Sequence, residues 1–208
     1  MSPRGVAIPD LRERLFAAAE RVVARDGAAG LTSRAVTAEA DCAKGVLHTH
    51  FAGLDEFVAE LVLDRFARGA RRAEGLGALV GRGTVAGNLQ EVADALLDSL
   101  PPAVARLAMT RAVAAMHTQE GIRSGAPAFD AIQGSVTAYL EAEQLAGRVA
   151  AGTDVGTIAL ALVGTVHHLL MTRVPAGDED GDRPRGGSGA STARLVSVLL
   201  GAEPGTGA

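Results

Sequence analysis

A short polar segment near the N-terminus carries the residues best suited to chemistry. It has the sequence KGVLHTH at positions 44–50 and contains the only lysine of the chain. A lysine ammonium binds a phosphate or a guanine edge, and imidazole and hydroxyl groups donate to phosphates or bases. Gly45 allows the backbone to approach a sugar-phosphate chain, and Val46 could lie against a thymine methyl group. The segment is therefore a candidate for binding double-stranded DNA.

The residues that open the preceding helical stretch belong to the same candidate surface. The amides at a helix N-terminus favour phosphate, and Arg34 is long enough to reach a guanine edge. The predicted DNA contacts are Ser33, Arg34, Lys44, Gly45, Val46, His48, Thr49 and His50. His48 and His50 are two residues apart, so on a helix they point to different sides and make a poor metal pair. We accordingly expect no metal here.

Other chemistries find little support in the sequence. Cys42 is the only cysteine, which excludes an internal disulfide and a cysteine-cluster metal site. We interpret it as a small buried hydrophobe, with a redox-sensing thiol as the alternative. The chain has no GxGxxG, P-loop or HExxH motif, and its histidines form no recognisable catalytic set. We expect no enzyme activity and no cofactor.

Composition favours an all-helical protein. Hydrophobic residues make up 48% of the 208 residues and aromatic residues only 3%. Alanine, leucine, valine and arginine are prominent, and most of these are good helix formers, whereas a β-sandwich relies on β-branched and aromatic residues. No apolar run has the length of a signal-peptide core at the N-terminus or of a membrane span. We expect a soluble, cytoplasmic, all-α protein with no membrane partner.

Charge is unevenly distributed along the chain. The net charge of −4 does not by itself indicate nucleic-acid binding. Residues 1–75 carry equal numbers of acidic and basic side chains, so the deficit falls entirely in residues 76–208. A neutral front and an acidic back suggest that the two parts have different roles.

Three predicted helices make up the front of the chain. The first covers 9–26, is amphipathic, and ends at a glycine. Thr32 is a suitable N-cap for a second helix of about eight residues. The third runs from Ala43 to His50, with Leu47 and Phe51 as its buried pair. Two short helices backed by a longer one predict a helix-turn-helix unit.

The remaining chain is predicted to be a bundle of helices. A long amphipathic helix covers 55–73 and carries an arginine row, Arg65, Arg68 and Arg72, which we interpret as a solvated face or a source of positive field toward phosphate. Five further helices are predicted at about 85–99, 103–118, 127–146, 154–173 and 189–200. The segment 175–189 is polar, charged and glycine-rich, so we expect a disordered loop there.

The front of the chain resembles the TetR family of one-component transcriptional regulators. The similar stretch is LRERLFAAAERVVARDGAAGLTSRAVTAEADCAKGVLHTHFAGLDEFV. The family pattern is matched by Gly27, Thr32, Ala40, Lys44, Gly45, Leu47, His50 and Phe51. The chain departs from that pattern at Asp41, Cys42, Ala43, Val46, His48 and Leu54. Since the family often has a phosphate-binding lysine where Leu54 stands, the departures are expected to weaken anchoring to the DNA backbone.

For the back of the chain, the resemblance implies a small-molecule pocket and a dimer interface. The pocket is expected among the middle helices, where methionine suits an adaptable apolar cavity. The candidate pocket residues are Met109, Val113, Met116, His117, Phe129, Gln133, Val136 and Tyr139. The candidate dimer residues, on the last two helices, are Leu162, Val166, Leu169, Leu170, Leu195 and Leu199. Ordinary core packing is the alternative for each of these residues.

Together these features predict a two-domain regulator. Residues 1–53 would bind DNA, residues 74–208 would bind a ligand and dimerise, and the helix at 55–73 would connect them. A single unit makes few phosphate contacts, so we expect a homodimer whose units lie roughly 34 Å apart on a palindromic operator. The predicted function is a repressor that is released when a small-molecule effector shifts the connecting helix.

Two alternatives to this function remain open from the sequence. The chain could be an all-helical small-molecule-binding protein or enzyme that no longer binds operator DNA. It could also be a purely structural helical bundle, which would have neither a pocket nor DNA binding.

Overall fold

Ten α-helices and one 3₁₀ turn make up the described part of the chain. The computed structural model describes residues 11–172 and 187–201, without the side chains of 106, 108, 109 and 187–190. The elements are α1 Leu11–Gly30, α2 Ser33–Glu39, α3 Val46–His50, α4 Leu54–Glu74, the 3₁₀ turn Gly75–Leu79, α5 Val85–Ser99, α6 Pro102–Thr110, α7 Ala112–Arg123, α8 Phe129–Leu145, α9 Val155–Thr172 and α10 Gly187–Leu199. Since no strand occurs in these ranges, the all-α prediction is confirmed. We call α1–α3 the front unit and α5–α10 the back bundle.

The first helix buries one apolar face, as its sequence pattern predicts. The buried residues of α1 are Leu15, Phe16, Ala18, Ala19, Val22 and Val23. Gly27 interrupts the helix with a φ of 71°, in the left-handed region that glycine adopts readily. The chain therefore changes direction at the predicted glycine. The predicted helix start at residues 9 and 10 lies outside the described residues.

The turn between α2 and α3 is fixed by a cap and by an unusual backbone conformation. Thr32 caps α2, because its Oγ1 accepts a hydrogen bond from the Ala35 amide at 3.1 Å. Beyond α2, Arg14 Nη2 donates to the Ala40 carbonyl at 2.7 Å. Asp41 then adopts a φ of 50°, which L-residues other than asparagine and aspartate rarely tolerate. Asp41 occupies the position where the TetR pattern has a glycine, and although aspartate tolerates this conformation better than most residues, it retains a steric cost there that glycine does not have.

The third helix is shorter than predicted. It begins at Val46 instead of Ala43, and Lys44 lies in the turn that precedes it. Gly45 is the N-cap and has no side chain to cap the helix, and its poor helix propensity disfavours an extension toward Ala43. Leu47 and Phe51 are buried, with 0% and 4% of their surface exposed, as the spacing predicts.

Three phenylalanine rings hold the front unit against α4. The ring centroids of Phe16 and Phe57 lie 5.5 Å apart, and those of Phe51 and Phe57 lie 5.0 Å apart in an edge-on arrangement. The guanidinium of Arg12 lies 5.1 Å from the centre of the Phe16 ring. Arg12 also forms an ion pair with Glu60 on α4. These contacts join α1, α4 and the end of α3 in one core.

In the arginine row of α4, Arg65 and Arg68 form ion pairs within the protein. The predicted solvated face is therefore wrong at Arg65. Arg65 is only 4% exposed. It donates to Glu20 and Asp64 at 2.7 Å each and to Glu13 at 3.2 Å. Burial lowers the pKa of Arg65, but the hydrogen bonds that its guanidinium donates to Glu20 and Glu13 outweigh burial and raise the pKa. The network therefore ties α1 to α4.

The back bundle is organised around α4 and α6. The helix α4 packs along α5, α7 and α8, while α8 packs on α9 and α10 on α5. The helix α6 contacts α1 of the front unit as well as α4, α7 and α9. Both α4 and α6 therefore connect the front unit with the back bundle.

The single helix predicted over 103–118 is wrong, because the structure has two helices there. Arg111 separates α6 from α7 with φ −98° and ψ 99°, outside the helical region. The two helices take separate directions because α7 runs along α4 whereas α6 reaches α1 and α9. The helix α5 has the predicted bounds. The predicted loop at 175–189 lies mostly outside the described residues, and its last residues belong to α10, which begins at Gly187.

Replacing Arg65 by glutamine should destabilise the fold. The change removes the cation that Glu13, Glu20 and Asp64 share, and a charge network that loses its buried partner costs about 2 kcal/mol or more. Arg72→Gln is the matched control, because Arg72 is exposed on the same helix, and a surface change of this kind stays within about 0.5 kcal/mol. The free energy of unfolding in urea distinguishes the two variants. Equal effects would contradict the network.

Replacing Asp41 by glycine should stabilise the fold, whereas alanine should destabilise it. Glycine relieves the left-handed strain, a gain of about 0.5–1 kcal/mol after its greater unfolded-state entropy is counted. Ala38→Gly, at an exposed position in α2, serves as the control and should lose stability, because glycine there only weakens a helix. Thermal unfolding measures all three variants. A loss of stability in Asp41→Gly would show that the turn is not strained.

Candidate nucleic-acid interface

The helix α3 presents its polar residues to solvent and its apolar residue to the core. His48, Thr49 and His50 are exposed, whereas Leu47 is completely buried. Lys44 and Gly45, in the preceding turn, are exposed as well. The structure therefore brings five of the predicted DNA contacts together on and beside one short exposed helix.

The other three predicted contacts, Ser33, Arg34 and Val46, differ in their exposure to solvent. Arg34 is exposed at the start of α2, while Ser33 beside it is half-buried. Val46 is also half-buried and packs partly on the core, which leaves only part of its side chain for a base contact. The Thr49 hydroxyl donates its hydrogen to the Gly45 carbonyl at 3.1 Å. Its oxygen therefore remains available mainly as a hydrogen-bond acceptor for a DNA base.

Several arginines that the sequence did not single out support this surface. Arg21 and Arg25 on α1 donate to the Glu39 carboxylate at the end of α2, each at 2.8 Å. These bonds lower the pKa of Glu39, and the bond from Arg21 has the larger effect. Arg14, Arg21 and Arg25 recur at helical spacing beside the apolar stripe of α1, and this spacing is the signal that could have identified them.

Few charges on the candidate surface remain available for phosphate. Among the described residues, Arg34 and Lys44 are the fixed cations of this surface that form no ion pair. Asp41 is an exposed anion in the same turn region. With two cations per chain, binding of DNA would depend less on salt than it does for strongly basic regulators.

The surface offers no cluster of metal ligands within the described residues. No group of three histidine, cysteine, aspartate or glutamate side chains is placed to hold a metal ion there. Cys42 is half-buried, and its Sγ lies 3.3 Å from the Ala40 carbonyl oxygen. The prediction of Cys42 as a small buried hydrophobe is therefore wrong in the extent of its burial, since the side chain packs only partly against the core.

The predicted pocket residues do not form one cavity lining. Val113 and Met116 are 50% and 69% exposed, and His117 is exposed beside them, so these three face outward from α7. The break at Arg111 explains the error, because it changes the direction of the helix on which the prediction relied. The inward face of α7 carries Ala114 and Gly121 instead, and Gly121 lies close to Leu63 of α4. The side chain of Met109 lies outside the described residues.

The pocket residues predicted on α8 are turned inward to different degrees. Phe129 and Gln133 are half-buried, and the Phe129 ring lies 5.1 Å from Phe66 and 4.5 Å from His167. Val136 and Tyr139 are buried. They therefore belong to the packed interior of the back bundle.

Tyr139 belongs to a buried polar network that the sequence did not reveal. Asn88 donates to the Tyr139 hydroxyl at 2.9 Å, and burial raises the pKa of Tyr139. Next to it, the fully buried Glu143 accepts from the Gly81 amide at 3.1 Å and pairs with Arg148 at 3.3 Å. The network joins α5, α8 and the loop before α5, so the role of Tyr139 here is structural.

Three of the predicted dimer residues lie in the chain's own core. Leu162, Val166 and Leu170 are at most 3% exposed, which corrects their prediction as free interface residues. Leu169, Leu195 and Leu199 are half-buried and pack against the same core. The physical reason is that the prediction chose the most apolar face of α9, which packs inward, whereas the exposed side carries Thr157, His167, His168 and Thr172.

The outward face of α9 is unusually poor in charge. The helix has no aspartate, glutamate, lysine or arginine, and it is long and apolar enough to span a membrane by length and composition, a property that core helices share. Leu160 is 57% exposed, and Gly164 and His168 follow it at four-residue spacing on the exposed side. On α10, Val198 is 67% exposed. The outer side of the last two helices therefore exposes two large apolar residues, Leu160 and Val198, among small and polar residues, with Arg194 exposed one turn before Val198.

Solved structures of low sequence identity share this fold. A TetR-family regulator from Mesorhizobium loti is 17% identical, with a TM-score of 0.62 over 95% of this chain and 96% of that chain. The regulator FadR of Bacillus subtilis, solved with stearoyl-CoA, is 16% identical, with a TM-score of 0.61 over 91% and 98%. A TetR regulator of Streptomyces coelicolor is 20% identical, with a TM-score of 0.53 over 91% and 96%.

Comparison by sequence gives no such relatives. No family model matches the chain, and no curated protein matches it. The likeness thus comes from structure, and it extends over nearly the whole chain and not only over the helix-turn-helix unit. The predicted architecture is confirmed in this respect: the chain has the fold of the TetR-family transcriptional regulators.

Proposed function

We propose that the protein is a ligand-responsive transcriptional regulator, most simply a repressor, that binds a palindromic DNA site as a homodimer. The observation that carries the proposal is the orientation of α3. Its exposed side is entirely polar and lies next to the exposed Lys44, while Leu47 and Phe51 fix the helix from below. A rigid exposed helix of this kind fits the major groove of duplex DNA.

In this function each part of the chain has its own role, and the protein acts in the cytoplasm. Residues 1–53 bind DNA, with Ser33, Arg34, Lys44, Gly45, Val46, His48, Thr49 and His50 as the contact set. Residues 74–208 bind the effector and dimerise, and α4 connects the two domains. Two copies are needed because the few cations of one unit give weak binding, and two units must meet successive major grooves.

The second copy is proposed to bind on the outer face of α9 and α10. This face, defined by Leu160, Gly164, His168 and Val198, combines exposed apolar and small residues with an imidazole, and the exposed Arg194 lies at its edge, one turn before Val198 on α10. Apolar contact of closely approaching helices is the usual basis of a stable homodimer interface. The glycine supports this arrangement, because a Cβ built at Gly164 meets no atom of its own chain within 4 Å.

The effector is proposed to be a small molecule held among the middle helices. Support comes from the fold, since the FadR structure of the same fold contains stearoyl-CoA. Of the residues predicted to line the site, the half-buried Phe129 and Gln133 remain the candidates. Effector and DNA should each weaken the binding of the other by the same factor, because coupling between two sites is reciprocal.

Neutralising Lys44 should weaken DNA binding. The test uses duplex DNA from both sides of the protein's own coding sequence and measures binding by fluorescence anisotropy over a range of salt concentrations. Lys44→Gln should lower the affinity about tenfold and reduce the salt slope by about two per dimer, because each subunit loses one phosphate contact.

The control for this test is Arg72→Gln, which removes the same charge from an exposed site near the far end of α4. It should change neither the affinity nor the slope by more than the experimental error. If the unaltered protein selects no DNA sequence, the alternative of a small-molecule-binding protein without operator binding replaces this proposal.

Introducing a charge at Leu160 should dissociate the dimer. Leu160→Glu places carboxylates in an apolar interface, where they lose hydration without gaining partners. The monomer should keep its fold because Leu160 is exposed in the single chain. Sedimentation velocity should give half the mass of the unaltered protein. Leu145→Glu is the control, since Leu145 is 91% exposed at the end of α8; dimers in both variants would exclude the α9 face.

A further inference from the structure

We propose that Arg111 is a positioning residue that sets the orientation of the front unit relative to the back bundle through its ion pair with Asp55. The inference rests on the proposed function for its biological meaning, because the orientation of the front unit decides whether both copies of α3 can meet DNA. The angle between the front unit and the back bundle is a property of the protein alone, so it can be measured without DNA.

The backbone of Arg111 belongs to two helices at once. Its amide donates to the Leu107 carbonyl of α6 at 3.1 Å, and its carbonyl accepts from the Ala115 amide of α7 at 2.9 Å. The residue itself is not helical, and it forms the corner between the two helices. Any change in the angle between α6 and α7 therefore moves the Arg111 guanidinium.

The partner of Arg111 is tied just as closely to the DNA-facing helix. Asp55 is the second residue of α4 and pairs with Arg111 Nε. The next residue, Glu56, accepts a hydrogen bond from the Ala52 amide in the link between α3 and α4. The Phe51 amide in turn donates to the Leu47 carbonyl of α3 at 2.9 Å. Asp55 is thus connected to α3 by a short stretch of chain, residues 51–56, whose backbone is held by these two hydrogen bonds.

The position of this ion pair distinguishes it from the others in the front half. The pairs of Arg12 and Arg65 join α1 to α4, and those of Arg21 and Arg25 join α1 to α2. Of the ion pairs between described residues, the pair of Arg111 and Asp55 joins the back bundle to the segment that leads out of α3.

The ion pair acts on orientation more than on stability. About a third of each side chain is exposed, at 32% for Arg111 and 33% for Asp55, so solvent screens the attraction and the fold does not depend on it. A pair of this strength still selects one arrangement among several of similar free energy. Removing it should therefore broaden the range of angles while leaving the protein folded.

The test measures a distance within one chain by pulsed electron paramagnetic resonance. Spin labels are attached at T49C on α3 and A138C on α8, both exposed positions, in a C42A background that removes the native cysteine. Each labelled chain is paired with an excess of unlabelled chain. The variants are Arg111→Gln, Asp55→Asn, the double variant, Arg111→Lys and, as a control, Arg123→Gln, whose partner Glu120 lies on the same helix.

Arg111→Gln and Asp55→Asn should each broaden or shift the distance distribution, and the double variant should do so no further, since both remove one interaction. Arg111→Lys should restore most of the narrow distribution, and Arg123→Gln should leave it unchanged. Unlabelled proteins with native Cys42 and Thr49 should show the same pattern in DNA affinity, with a loss of about fivefold in the single variants.

Unchanged distributions in both Arg111→Gln and Asp55→Asn, or effects that add in the double variant, would overturn the proposal. If Arg111→Gln fails to fold, Asp55→Asn alone decides. If no protein in the set binds DNA, the proposed function fails, whereas the distance measurement still decides whether Arg111 positions the front unit.

Discussion

A five-residue helix has almost no stability of its own, so α3 depends on the burial of Leu47 and Phe51. Forming a helix this short costs more than its few hydrogen bonds return in water. Phe51 also contacts Phe16 and Phe57, so the burial that forms α3 joins it to α1 and α4. Because these inward residues fix the rotation of α3, they determine that His48 and His50 reach solvent.

Most arginines of the front unit and α4 are used within the protein. Arg14 satisfies a carbonyl in the turn after α2, Arg12 lies over aromatic rings, and Arg65 holds three carboxylates between α1 and α4. A sequence shows how many charges there are but not which of them are paired. The balanced charge of residues 1–75 is therefore compatible with a small positive surface at Arg34 and Lys44.

The sequence predicted correctly those parts of the fold that depend on single residues, namely a helix cap and a chain reversal. Thr32 caps its helix and Gly27 turns the chain, because capping and left-handed geometry depend on single residue types. The break at Arg111 has no glycine or proline to mark it and follows from the packing of α6 and α7 on different partners. The inward face of α9 was readable by contrast, since its polar residues Thr157, His168 and Thr172 lie on the exposed side and its most apolar face is buried.

The length of α4 makes the position of α3 sensitive to small angles. A helix of 21 residues is about 31 Å long, and a tilt of about 6° about one end moves the other by about 3 Å. This displacement approaches the rise of one nucleotide along a DNA strand, about 3.4 Å. Since α3 directly precedes α4 in the chain, it moves with the N-terminal end of α4. Contacts near Asp55 therefore govern the alignment of α3 with a groove. Contacts along the rest of α4 govern how easily it tilts.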